Sequence, residues 1–332
     1  MQSSSKRLLL IYPYKATFID KDLQTLAEYY QLDQIKGQDY AKSLSGYLKL
    51  FLDIGRRVGK ADICFAWFAD IRTLFTIFWA RIYKKKTIVQ IGGYETCNLP
   101  KFNYGGFRSW SSKRKILYIL KHADLLVTFS DFSAREVKHY TSEKSVKVIN
   151  LGIDIQTPLS KKKRRNLIVT IANATRYKYK LKGLDTFARV ATRFRDMEFM
   201  IIGDYDKKTK SELLEINPDL RFAGYINNKE LGKILTQAKI YCQLSYRESF
   251  GMALLEAMSY GCVPVVTDRG ALPEVAGKKA FYTEYGNIEQ TVTAIRKAEN
   301  CEDRAGFNRR AREKFPLKKR KQALIQEFEG LL

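Results

Sequence analysis

The stretch Tyr246-Arg-Glu-Ser-Phe-Gly-Met-Ala-Leu-Leu-Glu-Ala-Met-Ser-Tyr-Gly-Cys-Val-Pro-Val-Val-Thr-Asp268 decides the fold. It follows an apolar run at residues 240–244, so it reads as strand, loop, a helix over 251–260 and a second strand over Val263–Thr267. Ser249 is the expected N-cap, and Gly251 lets a ligand approach the backbone closely. A helix starting there offers free N–H groups and the positive end of its dipole to a diphosphate. Glu248 and Glu256 are eight residues apart, which on a continuous helix is about 12 Å of rise and about 80° of rotation. Two carboxylates so placed suit hydroxyls on either side of a diphosphate. They equally suit a plain surface, flanking a buried helix whose Ala253, Leu254 and Ala257 pack.

Outward from this stretch, apolar strands alternate with amphipathic helices, the pattern of a parallel α/β sheet. In the first half Arg7–Tyr12, 61–68, Lys86–Ile91 and 125–129 read as strands, with a helix over 20–30, and 150–154 closes the half. In the second half strands are expected over 166–172, 199–203 and 240–244, with helices over 183–194 and 228–238. Between the halves lies Ser160-Lys-Lys-Lys-Arg-Arg165, read as a solvated linker. The expected organisation is a Rossmann-like, acceptor-binding domain over 1–155, a basic linker over 156–165, a nucleotide-sugar-binding domain over 166–312, and a helix over 313–332 that crosses back. Two such domains would face each other across a cleft, with ligands at the carboxyl ends of the strands.

A second basic element lies between the first strand and first helix of the second half. Arg176 and Lys182 are six apart in Ala174-Thr-Arg-Tyr-Lys-Tyr-Lys-Leu-Lys-Gly-Leu184, where two cations can neutralise a diphosphate leaving group. Lys178 and Lys180 read as solvated.

The stretch around Glu248 and Glu256 resembles the E-x7-E motif of the retaining glycosyltransferases called family 4, in the cell-surface polysaccharide type of bacteria and archaea, which have the GT-B fold. Gly224-Tyr-Ile226, Asn228-Lys-Glu-Leu231, Ala238 and Leu244-Ser245 precede the motif in family order, and Gly261, Pro264-Val-Val266 and Leu272-Pro-Glu-Val275 follow it. The resemblance covers residues 166–277, and Arg176 and Lys182, the latter followed by Gly183, match its Arg and Lys. It implies that Glu248 contacts the donor sugar and Glu256 the ribose. The segment from Ser249 through Phe250, Gly251, Met252 and Ala253 would hold sugar hydroxyls and phosphate, with the turn at Tyr225 and Ile226 beside the base. Retention of anomeric configuration and independence of metal are implied as well.

The first half departs from the family. Its first loop, Pro13-Tyr-Lys-Ala-Thr-Phe18, has no glycine, and the histidine common after the strand at Lys86–Ile91 is replaced by Gly92-Gly-Tyr-Glu95. Glu95 is the nearest polar substitute and joins Glu248, Arg176 and Lys182 as a catalytic candidate. His122 and His139 read as structural or solvated.

Lys and Arg number 59 against 35 Asp and Glu, a net +24. The excess is uneven: 30 basic and 14 acidic residues through Arg165 (+16), then 29 and 21 (+8). Charge alone does not choose among nucleic acid, membrane and phosphorylated substrate, but no nucleic-acid module accompanies it. The segment 107–121, FRSWSSKRKILYILK, mixes Phe107, Trp110 and Tyr118 with five cations and suits either an anionic bilayer or packing on its own domain. Five scattered cysteines without zinc spacing fit a reducing compartment. The apolar stretch 63–83 carries Asp70 and Arg72 at its middle, so it reads as strand plus helix rather than a membrane span. No signal peptide is expected.

The reading is a cytoplasmic hexosyl- or related transferase, peripheral on the inner face of a membrane. It moves a sugar from a nucleotide-sugar, UDP- or GDP-linked first, to a saccharide or lipid-linked acceptor, with no cofactor. The alternatives are a catalytically silent sugar-nucleotide-binding protein and a nucleic-acid-binding protein.

Overall fold

The computed structural model describes residues 6–141, 146–154, 164–176 and 178–332. The chain divides into two compact units, residues 1–151 with 318–332, and residues 152–317.

The first unit runs β1 (Arg7–Tyr12), α1 (Thr17–Ala27), β2 (Gln31–Lys36), α2 (Leu44–Lys60), β3 (Ile63–Trp67), α3 (Ile71–Ile82), β4 (Lys86–Ile91), α4 (Trp110–His122), β5 (Leu125–Thr128), α5 (Asp131–Lys138) and β6 (Val146–Val148). Its six strands are parallel, in the order β2-β1-β3-β4-β5-β6. The central strands are unbroken apolar runs because both faces are covered: Leu8, Leu9 and Leu10 have no exposure at all. The charges inside the apolar stretch 63–83 are a helix start. Asp70 caps α3, accepting from the main-chain N–H of Arg72 at 2.8 Å and of Thr73 at 3.4 Å.

The second unit runs β7 (Leu167–Ile171), α6 (Leu184–Ala191), β8 (Glu198–Ile202), α7 (Lys207–Ile216), β9 (Arg221–Gly224), α8 (Asn228–Gln237), β10 (Ile240–Gln243), α9 (Met252–Ser259), β11 (Val263–Thr267), α10 (Leu272–Ala276), β12 (Phe281–Thr283), α11 (Ile288–Glu299) and α12 (Arg304–Lys314). Its order is β12-β11-β10-β7-β8-β9, again parallel. The chain leaves β7 in one direction through β8 and β9, then returns to the other side of β7 with β10. A crevice opens where the order reverses, so the loops after β7 and β10 flank the place where such sheets take ligands.

The last helix, α13 (Leu317–Glu329), lies almost wholly in the first unit. Its Arg320 is 3% exposed and bridges both carboxylate oxygens of Asp22 in α1, at 2.8 and 2.7 Å. A guanidinium with five donors can enter a core only where acceptors meet it, and here Asp22, the Ile149 carbonyl at 2.9 Å and Gln90 Oε1 at 3.2 Å do so. In the linker, Arg164 alone among the described residues departs from the solvated reading, while Arg165 is exposed as expected. Its residues 156–163 lie outside the described residues, but Arg164 is 7% exposed, donating to the carbonyls of Leu235 (2.7 Å), Ala238 and Tyr260. Those carbonyls end α8 and α9, where partial negative charge gathers, so the cation caps two helices at once.

Candidate functional site

In the second unit the loop after β10 leaves the sheet at Leu244 and turns into α9 at Gly251, whose φ of 102° no residue with a Cβ adopts without strain. Gly251 is therefore the N-cap, two residues beyond Ser249, which was expected in that position. Glu248 also stands ahead of the helix, so the helical rise and rotation drawn from its spacing to Glu256 do not apply.

Glu248 is held from several sides. Its Oε1 accepts from Lys182 Nζ, from Gln243 Nε2 at 2.8 Å and from Ser245 Oγ at 3.0 Å. Its main-chain carbonyl accepts from Ala271 N–H at 2.9 Å, and Gly270 (φ 63°) lies so close that a Cβ there would sit 2.3 Å from that carbonyl oxygen. The Gln243 amide is oriented in turn by Tyr241, whose hydroxyl donates to Oε1 at 3.0 Å. Burial holds the Tyr241 pKa well above its usual value, so the hydroxyl stays a donor throughout the neutral range. Gln243 and Gly270 were absent from the sequence reading. A glutamine inside a fully buried strand was the one available signal for the first, because such an amide must find partners.

The loop after β7 packs on the same place. Gly183 (φ 66°) comes so near Leu244 that a Cβ would lie 2.1 Å from its carbonyl oxygen, and Tyr246 N–H bonds the Leu181 carbonyl at 2.8 Å. This close approach brings the Lys182 ammonium onto Glu248. Arg176 lies further out: its main-chain N–H bonds Asp206 Oδ2 at 2.7 Å and its side chain is exposed. Tyr177 lies outside the described residues. Phe250 is buried, 3% exposed, whereas Ser249, Met252, Ala253 and Glu256 are half-buried. Tyr225 is 80% exposed at the turn after β9, with Ile226 half-buried beside it. Every second-unit candidate thus sits at the carboxyl end of a strand or on the helix that follows.

Glu95, in the first unit, is different. It is 3% exposed, and its Oε1 accepts from the N–H groups of Gly92 at 3.1 Å and Ala69 at 3.3 Å. It ties the turn after β4 to the turn after β3 beneath the surface, a structural role that accounts for its burial without any contact to substrate. Oε2 has no partner and burial raises the pKa, with the main-chain N–H groups opposing. A carboxyl whose folded pKa is raised stabilises fully below its unfolded value, near 4.5, and loses that contribution as pH climbs through the folded value. Glu95→Gln, which cannot ionise, should therefore gain melting temperature on wild type as pH rises from about 5 to about 8. A difference that does not change with pH would show that Glu95 ionises at no cost.

His122 ends α4 with Nδ1 3.2 Å from Arg81, and His139 is exposed after the end of α5, so the two fit the expectation of structural or solvated histidines. Among the described residues four of the five cysteines are buried and all are free thiols.

Residues 154–314 match the family model described as glycosyl transferases group 1. A mannosyltransferase of Mycolicibacterium hassiacum, named MMP alpha-(1->4)-mannosyltransferase, is 29% identical over 162 residues, 46% of this chain and 39% of that protein. A component of the phosphatidylinositol N-acetylglucosaminyltransferase of Homo sapiens is 30% identical over 143 residues, 41% of this chain and 29% of that protein. The chain thus spans about two fifths or less of these curated relatives. Among solved structures, Anabaena HepE in complex with UDP superposes with a TM-score of 0.77 over 98% of this chain and 100% of that one, at 14% identity. The likeness establishes the GT-B fold.

Proposed function

We propose, because residues 154–314 belong to the glycosyl transferases group 1 family, that this chain transfers a glycosyl group from a nucleotide-sugar to a saccharide or lipid-linked acceptor with retention of configuration. The observation that carries the reading is the meeting of Lys182 and Glu248 beside the start of α9, at the point where the second sheet reverses its strand order.

The chemistry follows from what each group can do. As the bond between the anomeric carbon and the diphosphate oxygen breaks, negative charge grows on the leaving group. An ammonium has three donors, so Lys182 can keep Glu248 and still meet phosphate oxygens. Arg176 and the N–H groups at the start of α9 add to that stabilisation, and all of it is strongest in the transition state. Glu248 has Oε1 occupied by three donors, which leaves Oε2 to orient a hydroxyl of the transferred sugar. Glu256, eight residues on, is assigned the ribose. The exposed Tyr225 ring and Ile226 are assigned to the base of a UDP- or GDP-linked donor, and the first unit to the acceptor. HepE, whose structure is a complex with UDP, and the MMP mannosyltransferase and human N-acetylglucosaminyltransferase support this reading. We place the reaction at the inner face of a membrane, in polysaccharide or glycolipid synthesis.

A thermal-shift screen against UDP-, GDP-, ADP- and CMP-sugars tests the reading: one nucleotide class should raise the melting temperature, and no response to any would refute it. With the responding donor, Glu256→Ala should weaken binding roughly 10- to 150-fold, the value of a carboxylate–hydroxyl bond of about 1.5–3 kcal/mol. Calorimetry that finds the same affinity would remove Glu256 from the ribose.

A further inference from the structure

The first unit leaves large apolar side chains outside its core on one set of neighbouring helices. On α2, Leu44 is 89%, Leu48 59% and Leu52 57% exposed; on α3, Phe78 is 45% and Ile82 53% exposed. The three leucines recur every four residues, so they lie within about 80° of one another on the helix surface. Lys49, Arg56 and Lys60 follow at about 120–160° from Leu44, a basic strip along one border of the apolar one. Phe51 joins the two helices, its ring 5.4 Å from Phe78 and its carbonyl accepting from Trp79 Nε1 at 2.9 Å. A Cβ at Gly55 would lie 2.5 Å from the Trp79 ring, so the helices touch there and the two apolar strips adjoin.

Cations outnumber carboxylates around this face, although Arg57 also pairs with Asp33 at 2.7 Å, Arg72 with Asp70 and Lys86 with Asp124 at 3.3 Å. Residues 40–60 carry Lys42, Lys49, Arg56, Arg57 and Lys60 against Asp53 alone, and Asp53 is occupied by Arg56 at 2.7 Å and Arg57 at 3.1 Å. Residues 71–86 carry Arg72, Arg81, Lys84, Lys85 and Lys86 with no carboxylate. The neighbouring α4, tied to α3 by Arg81 on the Tyr118 hydroxyl at 3.2 Å, adds Lys113 and Arg114 beside Trp110, which is 71% exposed. The apolar face of α4 itself is spent on the core, with Phe107 7% exposed among Ile116, Ile119 and Leu120. Of the two readings of the segment 107–121, packing on its own domain accounts for Phe107 and the apolar face, while its cations, Trp110 and Tyr118 stay outside.

We propose that the outer face of α2 and the end of α3 docks on an anionic lipid bilayer. The leucines sink to the boundary between headgroups and acyl chains, and the lysines meet lipid phosphates. The occupant follows from charge complementarity: a basic border around an unpartnered leucine strip matches a surface that is anionic outside and apolar beneath. Among the described residues no helix is long and apolar enough to cross a membrane, so attachment through this face is in-plane and reversible. Helix α2 begins after the carboxyl end of β2, so Leu44 lies toward the end of the sheet where this fold takes ligands. A lipid-linked acceptor held in that bilayer is thereby brought to the acceptor unit. This deepens the proposed function by naming where its acceptor is met.

Co-sedimentation with vesicles, in the absence of donor, tests the proposal independently of transfer. Binding should be strong on phosphatidylglycerol mixed into phosphatidylcholine, weak on phosphatidylcholine alone, and lost with added salt, since the Debye length is already about 8 Å at physiological ionic strength. Leu44→Ser, Leu48→Ser and Leu52→Ser together should lower the partition coefficient about 100-fold or more. Lys49→Ser, Lys60→Ser and Lys84→Ser together should lower it by a similar factor on anionic vesicles only. All six positions are exposed, and unchanged melting temperatures would confirm that the variants fold. The proposal is overturned if the leucine variant binds vesicles like wild type, or if neutral and anionic vesicles bind equally. It is also overturned if wild type ignores vesicles and instead self-associates in sedimentation velocity through these leucines, which would make a second copy the occupant. Donor binding in the thermal-shift screen stands or falls separately.

Discussion

Lys182→Ala is expected to lower turnover of the responding nucleotide-sugar by about 10²–10³-fold, the loss typical of removing one donor to a charge that grows in the transition state. Folding should hardly change. The lysine pairs with a side chain that keeps two other donors, Gln243 and Ser245, and the close approach of the two loops is made by main chain at Gly183, Leu181 and Tyr246. Lys182→Arg keeps the charge and should recover part of the rate. Arg176→Ala should cost less, because its exposed side chain pays more to be ordered on the substrate. Single-turnover kinetics with donor in excess, set beside melting temperatures, make the measurement. Wild-type turnover in a folded Lys182→Ala variant would show that the ammonium serves only to hold Glu248.

The second large effect concerns the last helix. Arg320→Met strands the Asp22 carboxylate in the core, where its only exposure is 2% of the side chain. Removing one partner of such a buried pair costs about 3–5 kcal/mol. For a unit of this size that amounts to roughly 10 °C in melting temperature, read on the transition of the first unit because the chain has two. Replacing both partners, Asp22→Leu with Arg320→Met, should restore most of the loss, since no charge is then left unpaired. The stacking of the guanidinium on Trp67 and Phe129, 5.8 and 5.7 Å from their ring centres, provides a fluorescence signal for the same transition. If the single and double variants melt together, the pair is not what secures α13.

Much of the fold was legible because parallel strands covered on both faces must be continuous apolar runs. The limits read for β1, β4 and β11 from sequence match those observed, and the neighbouring helices differ by only a few residues. β2 was missed for the same reason. Gln31–Lys36 is an edge strand with only Ile35 fully buried, so no apolar run marks it. α2 was missed because Gly46, Gly55 and Gly59 interrupt its pattern and three of its four leucines, Leu44, Leu48 and Leu52, point outward, against the usual sense of amphipathicity.

The sequence by itself determined the α/β class and the start of a helix near Gly251, because local periodicity and residue type carry that information. The grouping of Arg176, Lys182, Glu248 and Glu256 with one ligand came from the resemblance to a family and not from their spacing. Only the tertiary structure decided which charges meet. It set Lys182 on Glu248 across 66 residues and Arg320 on Asp22 across 298. It buried Arg164 between two helix ends and enclosed Glu95 beneath two turns. In sequence none of these partnerships is visible. A buried charge is tolerated only when partners from distant segments satisfy it, and the packing of the whole sheet, not the residues beside it, sets those partners.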